Sequence, residues 1–247
     1  MVGIMKRNRF FGGSFLKDVK WRRVFWMVTI GALAGLLIIL AKPVHSKSNS
    51  LALLACMGWG WMGLLVLVWK QKPARLGMLG LAVLPGLVLI LPGRDPDVES
   101  LREDYVQRVL GFEGTPYFWG GESGRGIDCS GLPRRAYREA LFHAGLTGFN
   151  GKLLRGALEQ WWYDTSAKAM GEGYRGFTKP VGVRGTIREM DYDGLVPGDL
   201  AVTDNGVLDC LRRGGEMDPG GPWPGQSPQI GWTDWGEWLV QDPCDRV

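Results

Sequence analysis

Long runs of apolar residues fill the first part of the chain and predict three membrane-spanning helices. Residues 24–41 (VFWMVTIGALAGLLIILA) and 51–69 (LALLACMGWGWMGLLVLVW) carry no charged side chain. About 18 apolar residues is close to the minimum needed to cross the hydrocarbon core of a bilayer. A third run, residues 76–92 (LGMLGLAVLPGLVLILP), is shorter and contains Pro85. The pattern therefore predicts a membrane region over residues 24–92, in contact with the lipid bilayer.

A signal peptide or a set of buried soluble helices would account for these runs less well. A signal peptide has one apolar core and a small-residue cleavage site, whereas here several apolar runs follow one another. Buried helices of a soluble protein usually keep a polar face, which these runs lack. We therefore expect three spans, joined by short polar connections at residues 42–50 and 70–75.

The basic residues are distributed unevenly around the runs and predict the orientation of the chain. Residues 1–23 and 70–75 are rich in Lys and Arg, the connection at residues 42–50 has few, and residues 95–99 are acidic. The positive-inside rule then places residues 1–23 in the cytoplasm and everything beyond residue 92 outside it. This orientation depends on the third run, because without that crossing the C-terminal domain would be cytoplasmic.

From about residue 95 the pattern changes to that of a folded domain. Helical spacing of apolar residues predicts helices over residues 100–112, 130–146 and 153–169. Residues 195–203 (LVPGDLAVT) predict a turn that leads into a strand. In the second helix the charged side chains fall opposite the apolar face, and we expect them to face solvent; they are Arg134, Arg135, Arg138 and Glu139.

Cys129 directly precedes the helix predicted over residues 130–146. Unpaired N–H groups and the helix dipole stabilise negative charge at such a position. A thiol placed there tends to have a lowered pKa, and the thiolate is the reactive nucleophile. Nearby glycines are expected to let a substrate approach and to offer N–H groups to an oxyanion; they are Gly120, Gly121, Gly124 and Gly126. The alternative is a buried structural cysteine flanked by ordinary helix-capping residues.

Three motifs in this region resemble the NlpC family of cell-wall cysteine peptidases. They are TPYFWGG (residues 115–121), GIDCSGL (126–132) and VPGDLAV (196–202), in that order. The resemblance implies a compact papain-like fold over residues 95–207, with Cys129 as the nucleophile. It implies that Tyr117 lines the site near the oxyanion and that Asp128 and Ser130 flank the thiol. It also implies a substrate, the short peptides of peptidoglycan, cut at an amide next to a D-amino acid, and no cofactor.

The sequence thus predicts an α+β papain-like (NlpC-type) domain after three N-terminal transmembrane helices. A peptidoglycan substrate agrees with a domain outside the cytoplasm. The net charge of +4 arises largely from the basic residues around the membrane region. Since the soluble part has no basic face with interleaved aromatic residues, we expect no nucleic-acid partner.

The base required by this mechanism is not found in the sequence. The resemblance places a histidine at the start of the strand after the PGDL turn, since a Cys–His pair activates the thiol at neutral pH. No histidine occurs after His143, which lies 14 residues beyond Cys129. At about 1.5 Å per residue of helix, that is roughly 20 Å from the thiol. The remaining histidine, His45, leaves too few for a His-built metal site, and no metal is expected.

Residues 208–247 fit the rest of the domain poorly, because they are rich in Gly, Pro and Trp and show little of the alternation expected of strands. If the codons are chosen suitably, shifting the reading frame by one base turns LDCLRRGG (residues 208–215) into WIAYVGG. The same kind of shift turns MDPGGP and WLVQDPCDRV into segments that also read as strand–turn–strand. We hypothesise that a frame change near Val207 replaced the C-terminus and removed the histidine. Cys210 and Cys244 would then carry no chemistry. A truly divergent tail is the alternative.

Three functions are compatible with these features. The first is a membrane-anchored cysteine peptidase that is inactive, or nearly so, as written. The second is a non-catalytic cell-wall binding module, and the third is an acyltransferase on a related papain-like scaffold. Trp119, Trp161 and Trp162 are candidates to line a groove, although large aromatic residues at helical spacing are more often core, as we expect for Trp161.

Overall fold

The computed structural model describes residues 19–44, 46–163, 165–185, 193, 195–203, 206–209, 211–213, 216–218 and 238–242. The chain divides into two compact units. One comprises residues 1–41 and 48–81, and the other comprises residues 42–47 and 82–247. The short segment 42–47 therefore belongs to the same unit as the C-terminal domain.

The described residues form helices followed by a mixture of helices and strands. The helices are α1 (Val19–Ala41), α2 (Lys47–Leu67), α3 (Lys72–Ile90), α4 (Val98–Leu110), α5 (Gly131–Thr147), α6 (Gly151–Trp162) and α7 (Ala167–Gly171), with a 3-10 turn at Tyr174–Gly176. The strands are β1 (Glu122–Ser123), β2 (Gly126–Ile127), β3 (Lys179–Gly185), β4 (Leu200–Thr203), β5 (Gly206–Asp209), β6 (Leu211–Arg213), β7 (Glu216–Asp218) and β8 (Trp238–Asp242). This mixed helix–sheet composition agrees with the predicted α+β class.

Helices α1 and α2 pack closely through small residues. A Cβ atom on Gly63 would lie 2.3 Å from Cγ2 of Thr29, and one on Gly60 would lie 3.0 Å from Cδ2 of Leu33. The hydroxyl of Thr29 donates to the carbonyl of Phe25 at 2.9 Å, so it is satisfied within α1. Small residues at helix contacts allow the close backbone approach on which helix packing in a bilayer depends.

Among the described residues, two helices are long and apolar enough to cross a membrane, judged by length and composition. They are Lys20–Ala41, with mean hydropathy 2.5, and Lys47–Leu67, with mean hydropathy 1.8. The third predicted span is also helical, as α3, with Pro85 inside it. Two of the three predicted spans thus have the length and apolar composition expected of them, and a membrane crossing by any of the three stays a prediction.

Helices α4, α5 and α6 enclose the main core of the second unit. Tyr105 of α4 and Tyr137 of α5 meet edge to face, with ring centroids 6.0 Å apart. Complete burial of an apolar side chain of Val, Leu or Phe size contributes roughly 1.5–3 kcal/mol. The core residues are Leu101, Tyr105, Val109, Ile127, Leu132, Ala136, Tyr137, Ala140, Leu141, Leu153 and Ala157.

The helix predicted over residues 153–169 is two helices in the structure. Helix α6 ends at Trp162, and α7 begins at Ala167. The break follows from capping: the side chain of Ser166 accepts a hydrogen bond from the backbone N–H of Ala169, which starts a new helix. Serine is among the residues most favoured at such a position, because its oxygen satisfies an N–H that has no partner within the helix.

The main sheet has the strand order β3-β8-β4-β5, and each neighbouring pair is antiparallel. Leu200 and Val202 of β4 pack against Ala167 and Met170 of α7 in a second, smaller core. Strands β6 and β7 form a separate antiparallel pair. The strand predicted after the PGDL turn is present as β4.

The expectation that residues 208–247 lack strands is wrong for the part of this tail that the structure describes. Strand β8 (Trp238–Asp242) lies inside the sheet, paired with β3 on one side and β4 on the other. Pairing on both sides satisfies its backbone N–H and C=O groups, which compensates for the weak alternation of its sequence. Because those partners are distant in sequence, the pairing is not visible in the local pattern.

The turn of the VPGDL motif is fixed to α4 by a buried ion pair. Nη1 of Arg102 lies 3.0 Å from Oδ1 of Asp199, whose other oxygen accepts from the backbone N–H of Val196 at 3.0 Å. Gly198 has φ +101°, and a Cβ there would lie 3.2 Å from Cδ1 of Tyr105. A side chain at this position would therefore meet both backbone strain and crowding. The motif thus sets where β4 leaves the helical core.

Candidate active site

Cys129 lies at the front of α5, as the sequence predicted. Ser130 is the N-cap residue and α5 starts at Gly131, so the half-buried thiol is on the residue just before the cap. The backbone N–H groups of the first turn point toward this end of the helix and favour negative charge there. The position therefore suits a thiolate.

Asp128 joins the front of the helix to the loop that precedes it. Its Oδ1 accepts hydrogen bonds from the backbone N–H of Gly131 and from the hydroxyl of Ser130, while its Oδ2 accepts from the N–H of Gly120 at 2.8 Å. Its own backbone N–H donates to the carbonyl of Gly121 at 3.0 Å. Asp128 is buried, and Ser130 provides no side-chain cap, so Asp128 supplies the capping oxygen instead. The two predicted flanking residues thus position the loop and the helix on either side of the thiol.

The glycines around Cys129 allow backbone segments to come close together. A Cβ on Gly131 would lie 2.2 Å from the carbonyl oxygen of Gly121, and a Cβ on Gly121 would lie 2.4 Å from the carbonyl oxygen of Gly126. Gly120 has φ +71°, in the left-handed region that glycine enters without strain. The DCSGL and WGG motifs are therefore locked to each other through backbone atoms.

The expectation that these glycine N–H groups hold an oxyanion is wrong for Gly120 and Gly121. The N–H of Gly120 donates to Asp128, and the N–H of Gly121 donates to the carbonyl of Phe118 at 2.8 Å. Both donors are therefore engaged within the protein. Of the other two glycines, Gly126 pairs with Ser123 in the β1–β2 hairpin, and Gly124 lies in its turn. For these two glycines the oxyanion role stays a prediction.

Tyr117 lies close enough to Cys129 and Asp128 for their negative charges to act on its phenol, and its place near the oxyanion stays a prediction. Partial burial, followed by the negative charges of Cys129 and Asp128, raises the pKa of Tyr117 to about 12. The backbone of Tyr117 also forms a parallel bridge with Ile127, which fixes it next to the residues preceding Cys129. The phenol therefore stays protonated at neutral pH and can donate a hydrogen bond to an anionic oxygen.

Two arginines of α5 that were expected to face solvent are buried instead. The carboxylate of Glu122 in β1 accepts from Nε of Arg134 and from Nη1 of Arg138, both at 3.2 Å. Arg134 also donates to the carbonyl of Thr165. Burial lowers the pKa of Arg138, and the nearby carboxylate of Glu122 counters that shift. Sequence reasoning missed this cluster because Glu122 precedes the helix by several residues and meets it only after the loop closes.

The two other charged residues of that α5 face lie nearer the surface, as expected. Nε of Arg135 lies 2.5 Å from Oε1 of Glu139, one helical turn away. Such partly exposed pairs contribute little to stability, of the order of 0.3–0.5 kcal/mol. The prediction for this face thus holds for Arg135 and Glu139 and is wrong for Arg134 and Arg138.

The histidines do not supply a base among the residues that the structure describes. Nδ1 of His143 lies 3.1 Å from Oδ2 of Asp104 on α4, and the imidazole is exposed. His45, Cys210 and Cys244 lie outside the described residues. In the described ranges, no group of three or more His, Cys, Asp or Glu side chains is placed to hold a metal ion.

The tryptophans that were candidates to line a groove differ in exposure. Trp119 is 80% exposed and its neighbour Phe118 is 46% exposed, on the loop that precedes Cys129. Trp161 is half-buried and is not among the buried residues of the main core, and Trp162 is 37% exposed. Their rings lie 6.2 Å apart on α6. Trp119 is therefore the most exposed of these aromatic side chains, on the loop that precedes Cys129.

Comparison with known proteins supports the resemblance inferred from the motifs. The model of the NlpC/P60 family matches residues 114–153, the segment that contains Tyr117, Asp128 and Cys129. A stretch of 38 residues is 55% identical to Dipeptidyl-peptidase 6 of Lysinibacillus sphaericus. That stretch covers 15% of this chain and 14% of the relative. No solved structure matches the chain.

These matches confirm the predicted resemblance to a family of cysteine-type cell-wall peptidases, over the loop and helix that present Cys129. The matched residues run from the loop before Tyr117 to the start of α6. The VPGDLAV motif at residues 196–202 lies outside them. The half of the site that should carry the base is therefore supported only by the motif itself.

Proposed function

We propose that this chain is a membrane-anchored cysteine peptidase of the NlpC type, acting on the short peptides of peptidoglycan through an acyl-enzyme on Cys129. The observation that carries this proposal is the hydrogen bonding of Asp128, which joins Gly120, Ser130 and Gly131 around the thiol. The Cys129 thiol within this scaffold is half-buried, whereas the structural alternative calls for a buried one. The match of residues 114–153 to a peptidase family supports the same function.

The proposed chemistry proceeds in two steps. The Cys129 thiolate attacks the carbonyl carbon of a peptide bond, and the resulting oxyanion accepts hydrogen bonds from N–H groups near the front of α5 and from the phenol of Tyr117. The C–N bond then breaks, and the amine leaves with a proton delivered by a general acid. Water next attacks the thioester, which releases the carboxylic acid and restores the thiol. The protonated state of Tyr117, with its pKa at about 12, suits the donor role.

The proton transfers in this scheme need a base that the chain does not provide at the expected place. Neither β4 (Leu200–Thr203), which follows the PGDL turn, nor the next strand β5 (Gly206–Asp209) contains a histidine. His143 is bound to Asp104 on another helix. General acid–base catalysis typically contributes 10²–10⁴-fold to the rate. We therefore expect this chain to hydrolyse peptides slowly or not at all.

The missing histidine is best explained by a change of reading frame near Val207. The described strand β8 lies within the sheet, so this hypothesis rests on the absent base rather than on absent strands. Sequencing the gene through the codons for residues 204–247 tests it. A one-base shift that restores a histidine early in β5 supports the frame change, and a gene that contains none in any frame excludes it.

The membrane topology that fits this function has three spans, with residues 1–23 in the cytoplasm and residues 95–207 outside. The charge distribution around the apolar runs favours it. The apolar character of α1 and α2 supports two of the crossings. A reporter enzyme fused at the C-terminus, active only outside the cytoplasm, tests the side on which the domain lies.

A second candidate is a non-catalytic module that binds cell-wall peptides. The exposed aromatic ring of Trp119, on the loop before Cys129, favours it, because aromatic faces bind ligands without chemistry. The two functions share a ligand and differ only in turnover.

One experiment separates these candidates. The full chain is purified in detergent and incubated with soluble stem peptides, and binding and cleavage are followed by Trp fluorescence and mass spectrometry. We expect binding with little or no cleavage. Robust cleavage that disappears in Cys129→Ala would contradict the proposed loss of activity, and failure to bind stem peptides at all would exclude both candidates.

A further inference from the structure

The connection between α1 and α2 makes backbone contacts with the loop that precedes Cys129. The carbonyl of Pro43 accepts a hydrogen bond from the N–H of Glu122 at 2.9 Å. Val44 forms an antiparallel bridge with Gly121. The compact unit that contains the domain also contains the whole connection from Lys42 to Lys47. A segment between two apolar helices thus lies along the edge of β1, as an additional strand would.

Side-chain contacts extend this pairing. Cγ1 of Val44 lies 3.7 Å from the position that a Cβ on Gly120 would occupy, which is ordinary van der Waals contact. Cβ of Pro43 lies 3.6 Å from the corresponding position on Gly126. The connection therefore packs against Gly120, just before β1, and against Gly126 of β2.

The opposite side of the same loop holds Asp128. The N–H of Gly120 donates to Oδ2 of Asp128, and the backbone N–H of Asp128 donates to the carbonyl of Gly121. Gly120 and Gly121 thus lie between Val44 on one side and Asp128 on the other. Glycine-rich backbone loses more conformational freedom on ordering than any other, so such a loop needs partners on both sides to stay in one conformation.

We propose that Pro43 and Val44 are positioning residues of the active site: they hold the glycine loop against Asp128 and so set the environment of the Cys129 thiol. The proposal rests on the proposed function of Cys129 as nucleophile. It makes the α1–α2 connection a working part of the catalytic domain, in addition to a link between helices. The connection does not touch the thiol in this scheme and acts through Gly120, Gly121 and Asp128.

The contact also constrains the topology. Because Pro43 and Val44 pair with the domain, the α1–α2 connection and the domain lie on the same side of the membrane. The chain between them must then cross an even number of times. If α2 crosses, α3 must cross as well, which is the three-span arrangement proposed from the charges. Two independent features of the chain thus lead to the same topology.

The test uses the full chain in lipid nanodiscs and four proteins: wild type, Val44→Gly, Val44→Ile and Lys42→Gly. Lys42 is exposed and lies in the same connection, so Lys42→Gly is the matched control for added flexibility. Alkylation of the Cys129 peptide by iodoacetamide is followed by mass spectrometry between pH 5 and 10. Hydrogen exchange of residues 118–127 is measured on the same samples.

We expect Val44→Gly to raise the pH midpoint of alkylation by about 0.5, which is about threefold in thiolate fraction below the midpoint. Hydrogen exchange of residues 118–127 should become faster in the same variant. Val44→Ile and Lys42→Gly should behave like wild type in both measurements. A general loss of stability would change the melting temperature as well, whereas the proposal predicts little change there.

Unchanged alkylation and unchanged exchange in Val44→Gly would overturn the positioning role. Faster exchange with an unchanged alkylation midpoint would also overturn it, because the loop would then be held without affecting the thiol. If Cys129 resists alkylation in the wild type, the proposed function fails with it. In that case, faster exchange in Val44→Gly would still identify the connection as a strand of the domain, and the two failures are distinguishable.

Discussion

The half of the proposed site that carries Cys129, the expected nucleophile, and the half from which the base is expected are built in different ways. Cys129, Asp128 and Tyr117 lie within 13 residues of one another and are fixed by local hydrogen bonds and close glycine packing. The base half depends on β4 and β5, whose position is set by the distant pair of Arg102 and Asp199 and by β8 from the tail. The residues of a local motif hold one another in position. A site assembled from distant strands, in contrast, can lose one side chain while the strands keep their positions.

The largest effect is expected from removing the buried carboxylate of Glu122, in the nucleophile half of the site. Glu122→Gln leaves Arg134 and Arg138 buried without their carboxylate. Removing one partner of a buried ion pair typically costs about 3–5 kcal/mol, because an uncompensated charge remains inside. Urea unfolding should show a loss of this size. Arg135→Gln, on the same helix but at the surface, is the control and should change the unfolding free energy by less than about 0.5 kcal/mol.

The next prediction restores a base to the other half. Neighbouring residues in a strand point to opposite faces, so Gly206→His and Val207→His cannot both face the thiol. The variant that does should raise stem-peptide hydrolysis by about 10²-fold, the lower end of general-base effects. Mass spectrometry of the products measures it. The partner variant serves as a matched control, and loss of the gain on adding Cys129→Ala ties it to the nucleophile.

If both histidine variants stay inactive while Cys129 remains reactive, the missing base would not explain the inactivity. The claim that the half built on β4 and β5 fails because it lacks a base would then be wrong. His143→Gln should have no effect on any of these rates, since that imidazole is bound to Asp104.

A smaller effect is expected from Asp128→Asn, which tests whether Asp128 organises the loop in the nucleophile half. An amide keeps one acceptor but places an NH₂ group against a donor, either the N–H of Gly120 or that of Gly131. A lost buried hydrogen bond of this kind costs about 1–3 kcal/mol. Thermal unfolding should detect the loss, and the rate of Cys129 alkylation at pH 7 should change with it. Wild-type values in both assays would show that Asp128 does not organise the loop.

The smallest effect concerns Tyr117 and alkaline pH. Its pKa is raised to about 12 in the folded protein, so the folded state holds the phenol proton more tightly than the unfolded state does, where the pKa is about 10. The resulting stabilisation is complete below pH 10 and is lost as the pH rises from about 10 to 12. Solvent screening keeps the effect small, because Tyr117 is only partly buried. Melting temperatures between pH 9 and 11 should fall less steeply in Tyr117→Phe than in wild type, and parallel curves would contradict this role.

The sequence predicted most of the nucleophile half because its information is local. A cysteine before an amphipathic helix, preceded by glycines, indicates its own position, and the structure places Cys129 there. The destinations of the glycine N–H groups were not predictable, since they depend on how the loop closes onto Asp128. The burial of Arg134 and Arg138 was missed for the same reason, because Glu122 approaches them only in three dimensions.

The base half and the tail were harder to predict because strand pairing is long-range. Trp238–Asp242 has little alternation, and its place between β3 and β4 depends on partners about 40 or more residues away in the sequence. The break between α6 and α7 was missed because Ser166 lies inside an otherwise helical pattern. The apolar runs of α1 and α2, in contrast, identified those helices directly, since their length and composition suffice.

The most direct test of the account is the reactivity of Cys129 in the folded chain. Iodoacetamide is applied between pH 5 and 10 to the folded protein in nanodiscs and to the urea-unfolded protein, and alkylation of the Cys129 peptide is read by mass spectrometry. We predict that the folded protein reacts with a pH midpoint below that of the unfolded chain, which should lie near about 8.5. A thiol that is inert in the folded protein, or one with a higher midpoint, would contradict the assignment of Cys129 as the nucleophile.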